Sequence, residues 1–151
     1  MTNIPSIKHL ANDVKTLQLL HSNILENMLA TLVDLTKNHI DKKLAILMLS
    51  NYMAKHTELK RLRSLLDSKV GIIQSYNIDK RNTYIPAILN NLQGKISIIN
   101  AVMKINNAYL TYLRDNLQTA EVESINATAL HAYNLITSEL YLDDMLTKFK
   151  G

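Results

Sequence analysis

Apolar residues return along this chain at alternating steps of three and four, in four separate runs. Ile7, Leu10, Val14, Leu17, His21, Ile24 and Met28 form the first. That spacing places them on one narrow face of a helix, and only His21 is polar. The third run repeats the device over a longer stretch, with Leu89, Leu92, Ile96, Ile99, Met103, Asn106, Leu110, Leu113 and Leu117, broken only by Asn106. Its mean period near 3.5 suits helices packed almost parallel. The second run is less regular. Leu44, Met48, Tyr52, Leu59, Leu62 and Leu66 share a face, which Val70 and Ile73 extend past Gly71. The fourth passes through Val122, Ile125, Ala129, Ala132, Ile136, Leu140 and Phe149.

Residues suited to ending and starting helices separate the runs. Asn38 can close the first helix and Asp41 can cap the second by accepting from its free amides, which leaves a reversal near His39. Residues 77–82 are polar and turn-prone, and Thr83 with Pro86 suits the start of helix three. Thr119 is the predicted cap of helix four, with Glu121 and Glu123 set against its positive N-terminal end. Short connections make neighbours antiparallel. The expected fold is therefore all-α: one domain over residues 1–151, an up-down-up-down bundle of four long helices.

Composition supports this pattern. The 151 residues are 47% hydrophobic and 20% charged, enough apolar side chain for a sizeable core. Three glycines and two prolines are too few for the many turns of a β-rich fold. There is no cysteine for a disulfide, a thiolate metal site or a thiol nucleophile. Lys8, His9 and Asp13 interrupt the region where a signal peptide would carry its apolar core, and no stretch reaches the roughly 18 uncharged apolar residues of a membrane span. The expectation is a cytoplasmic protein, or one exported without a cleavable signal.

Motifs for catalysis and cofactors are missing. A di-iron bundle needs inward Glu-x-x-His pairs, and no glutamate here has histidine three residues on. His9, His21, His39, His56 and His131 include no pair at helical i, i+4 spacing, so no metal is expected. There is no glycine-rich phosphate loop. Glu139 and Asp143 form an i, i+4 carboxylate pair, which a solvated helix face explains better than acid-base chemistry. No catalytic residue and no cofactor are assigned.

Three constellations remain. Residues 55–81 hold Lys55, Lys60, Arg61, Arg63, Lys69, Lys80 and Arg81 against Glu58, Asp67 and Asp79, so the whole formal charge of +4 sits there. Such a segment can meet phosphates or an acidic partner, but its cations do not share one helical face, and a solvated surface is the plainer account. The second constellation is an apolar surplus over residues 40–53. Ile46, Leu49 and Met53 point away from the Leu44 face, Leu25 and Leu29 widen the stripe of helix one, and Tyr109 and Tyr112 flank helix three at the same end. An excess of this kind suggests an interface, against the plainer alternative of a wider core. The third is a polar band, His21, Asn51, Lys55, Asn106 and Tyr133, at similar levels of the folded hairpins. Polar groups in a seam commonly fix helix register, and a small-ligand pocket is the other reading.

The function expected from these features is a non-enzymatic protein–protein interaction module, an adaptor, secretion-chaperone-like or small regulatory protein. Its partner would be another protein or a second copy in a homo-oligomer. The alternative is a nucleic-acid-binding regulator using residues 55–81, and the third is a small-molecule sensor bundle.

Overall fold

The computed structural model describes residues 7–37, 40–75, 84–116, 119 and 121–150, with side-chain surroundings omitted for residues 7, 8, 10, 11 and 142–150. Four helices account for nearly all of it: α1 (Ile7–Leu35), α2 (Lys42–Ser75), α3 (Tyr84–Asn116) and α4 (Val122–Lys150). At about 1.5 Å per residue they run roughly 44 to 51 Å. Each helix packs on the next and α4 returns to α1, so the four close into an antiparallel bundle in chain order. The parallel pair α1 and α3 also meets across the diagonal, where the Gln18 amide donates to Asn91 Oδ1 at 3.0 Å.

The core follows the four apolar runs. α1 buries Val14, Ile24, Met28, Leu32 and Leu35, α3 buries Leu92, Ile99, Val102, Met103 and Leu113, and α4 buries Ile125, Ala129, Ala132 and Ile136. On α2 the buried line differs from the predicted one. It runs Ala45, Leu49, Tyr52, His56, Leu59, Leu62, Leu66, Val70 and Ile73, while Leu44 is exposed and Met48 only partly buried. Steps of four repeated from Leu44 through Met48 to Tyr52 drift around a helix by about 40° each, whereas alternating four and three hold one direction. Ala45, small and easily passed over, begins the true seam.

Termini show which caps form. Asp41 Oδ1 accepts from the Leu44 amide at 2.7 Å and its carbonyl from the Ala45 amide at 3.0 Å, the geometry of an N-cap. Pro86 sits in the first turn of α3, where its missing N–H leaves nothing unpaired. Thr119 does not cap α4. Its amide and hydroxyl both turn back to the Asn116 carbonyl, closing α3 instead, and the Glu121 carbonyl starts α4 by accepting from Ser124 and Ile125. The end of α1 is completed by another helix. Buried Asn126 of α4 donates through Nδ2 to the carbonyls of Leu35 and, at 3.2 Å, of Lys37. These are acceptors that a helix end leaves open. Asn38, His39, Thr83, Leu117 and residues 77–82 lie outside the described residues, as do the side chains of Ile7, Leu10 and Phe149. Gly71 lies inside α2 without interrupting it.

Candidate functional site

Besides Asn126 at the end of α1, polar side chains enter the described core at two places. In the first, α2 and α3 share a hydrogen-bonded chain. The Tyr52 hydroxyl donates to Asn106 Oδ1, which turns Asn106 Nδ2 toward His56 Nδ1 at 3.2 Å. Since Nδ2 can only donate, Nδ1 accepts and the neutral imidazole carries its proton on Nε2. Tyr52 and Asn106 are fully buried. Burial lowers the His56 pKa, helped by nearby Lys60, and raises that of the Tyr52 hydroxyl, so all three groups are uncharged near neutrality. Tyr109, one turn beyond Asn106, sets its ring edge-on to Tyr52 with centroids 5.7 Å apart. Its own hydroxyl is buried without a partner.

The second place is His21 on α1. It is 3% exposed and its Nε2 has no hydrogen-bond partner. Burial, with a smaller push from Lys95, takes its pKa down to about 4.

Of the predicted polar band, then, His21 and Asn106 are core groups and Tyr133 is half-buried against the core. The other two are corrected. Asn51 is exposed, and Lys55 is half-buried with its ammonium turned to Glu58 at 3.4 Å in a solvent-facing pair. Both errors follow from the drifted face of α2. Once the seam passes through Tyr52 and Leu59, position 56 and not 55 faces inward. His56 was therefore missed, although its steps of four from Tyr52 and three to Leu59 could have shown it.

The predicted interface also divides. Leu25, Leu49 and Tyr109 are buried within the single chain and Leu29 is half-buried against the core, so the wider core near the α1–α2 connection accounts for them. Ile46, Met53 and Tyr112 are exposed. Tyr112 lies in an apolar groove of about 240 Å³ between α3 and α4, with Ile105, Ala108, His131 and Leu135.

Exposed apolar residues also lie elsewhere, along the outer side of α1 and α2. Leu47, Ala54, Glu58, Leu65 and Ile72, at steps of seven, four, seven and seven, fall on one line of α2. Leu47 is 64% exposed, Leu65 55% and Ile72 49%. Leu65 and the exposed Leu20 of α1 form the walls of a groove of about 330 Å³, floored by Ile24 and Leu62 and edged by Lys55, Glu58 and Arg61. The apolar surplus predicted at Ile46 and Met53 does not include this side.

The described basic residues do not gather into one patch. Lys69 pairs with Asp13 at 2.5 Å, Lys55 with Glu58, and Arg63 donates to Asn100 Oδ1 at 3.2 Å. The Lys69 hydrogen bond holds the Asp13 carboxyl below its ordinary range. Lys60 and Arg61 are exposed and form no ion pair among the described residues, but adjacent positions on a helix point roughly 100° apart. Lys80 and Arg81 lie outside the described residues.

Among the described residues no helix is long and apolar enough to cross a membrane, and no three histidine, aspartate or glutamate side chains come close enough to hold a metal ion. Comparison with protein-family models, curated proteins and solved structures found no match to this chain.

Proposed function

We propose that this chain is a non-enzymatic protein–protein interaction module, an adaptor, chaperone-like or small regulatory protein, that docks another polypeptide or its own copy on the outer face of α1 and α2. The observation that carries the reading is the line of exposed Leu47, Leu65 and Ile72 beside Leu20. Monomeric proteins seldom keep large contiguous apolar patches in water, and a partly apolar groove with a charged edge is what an amphipathic helix fits. The polar groups of the core support a structural role, since three of them are used in bonding one another.

The test is a triple variant, Leu47→Gln, Leu65→Gln and Ile72→Gln. These residues contact water already, so helicity and melting should stay close to the parent's. Mass by light scattering should fall to that of a monomer, or the partner that co-purifies from the native source should be lost. A variant that keeps both the parent's mass and its co-purifying partners refutes the assignment of this face. Phosphate binding through residues 55–81 predicts instead an association that weakens steeply with salt.

A further inference from the structure

We propose that His21 is an acid-sensitive pin, whose protonation releases the N-terminal half of α1 from the bundle while the end held by Tyr52, Asn106 and His56 stays closed. The geometry alone sets the direction. A neutral imidazole tolerates one unpartnered nitrogen, but the protonated ring is a cation with two donors. Its buried Nε2 has no acceptor.

Among the described residues no neighbour offers the missing negative charge. From α3 the group acting on the ring is Lys95, which repels a second cation. From α2, Glu58 lies at the level of Ile24 in the outer groove and is engaged by Lys55. Asp13, two turns back on α1 itself, is engaged by Lys69 of α2. On α4, Glu139 is half-buried on the side that continues Ala132 and Leu135 toward α3. No carboxylate among the described residues acts on the imidazole.

Opening should run toward the N-terminus. Among described α1 side chains before His21 only Val14 is buried, with Leu17 half-buried, and the polar ties Asp13–Lys69 and Gln18–Asn91 are partly solvated. After His21 come Ile24, Leu25, Met28, Leu32 and Leu35, all buried. Nearer the α1–α2 connection, burial also lowers the His56 pKa, but there the ring can find a partner for a proton. If the Asn106 amide turns over, Oδ1 accepts from the charged ring and Nδ2 donates to the Tyr52 oxygen, an exchange His21 has no partner to make.

With the folded pKa depressed to about 4 against an ordinary value of 6.5, the opened form binds the proton first. The closed state is therefore fully favoured above about pH 6.5 and loses ground as pH falls toward 4, below which the loss is complete. Between pH 7 and 5 the opening equilibrium should rise by about 20-fold. Asp13, with a depressed carboxyl pKa, contributes stability that is lost only below its ordinary 3.8, outside this window.

Amide hydrogen exchange of the full chain, corrected for intrinsic rates and followed at pH 7 and pH 5, tests the proposal. Residues 12–24 should lose protection about 20-fold on acidification, those around Tyr52 and Asn106 much less, and His21→Leu should abolish the local effect. Equal losses in the His21→Leu variant, or unchanged protection in the parent, would overturn it. A second readout needs no variant: the NMR titration of His21 should show a midpoint well below 6.5, and a midpoint near 6.5 in the closed protein also overturns the proposal.

Discussion

Asn106 is the most informative residue to remove, since it alone joins Tyr52 to His56 inside the core. Replacing it with leucine keeps the approximate volume and deletes both hydrogen bonds. The Tyr52 hydroxyl and His56 Nδ1 are then left without partners at a fully buried site. Each such group costs about 1 to 3 kcal/mol, and burying extra apolar surface returns part of that, so Asn106→Leu should destabilise by roughly 2 to 4 kcal/mol. Tyr52→Phe leaves only Asn106 Oδ1 unpaired and should cost about 1 to 2 kcal/mol. The double variant is the decisive one. With no hydroxyl left to strand, it should be no less stable than Asn106→Leu alone, so the sum of the single effects exceeds the double by at least about 1 to 2 kcal/mol. Denaturant melts near pH 7.5, where His56 is neutral, measure all four proteins. If the single effects add to within about 0.5 kcal/mol, the two residues do not act as one network and the argument fails.

Leu49 and Ile46, adjacent turns of α2, should separate cleanly. Leu49→Ala empties a core position and should cost about 2 to 4 kcal/mol in a denaturant melt, whereas Ile46→Ser, at an exposed position, should cost under about 1 kcal/mol. Comparable losses at both would mean that α2 is rotated from the orientation described. Gly71 and Gly94 lie inside helices, and a methyl group added at either would meet no atom within 4 Å. Gly71→Ala and Gly94→Ala should each stabilise by about 0.5 to 1 kcal/mol, read as a higher midpoint at unchanged m-value. A lower midpoint would show strain or a packing role for the bare backbone.

The helices and the fold class were legible in the sequence because a period near 3.5, held from Leu89 to Leu117 in the third run, admits few other solutions. Asp41 as a cap was equally local, needing only a carboxylate three residues before a free amide. Orientation was not local. Around α2 the surplus of apolar residues made two faces look alike, and a shift of one position moves every side chain by about 100°, exchanging Lys55 for His56 and Leu44 for Ala45. What chose between them was the other helices: Asn106 of α3 reaching His56 and Tyr52, and the cover that buries Ala45 completely. The same holds for Asn126, which looks like an ordinary polar residue beside Ile125 until α4 brings it, from 91 residues away, to the open carbonyl of Leu35. Thr119, whose sequence suits a helix start, instead follows the end of α3. Periodicity determined that four amphipathic helices form, because a helix repeats along its own axis. Which side chains became core or surface was decided by packing, because a helix's rotation about that axis is fixed only by what it packs against.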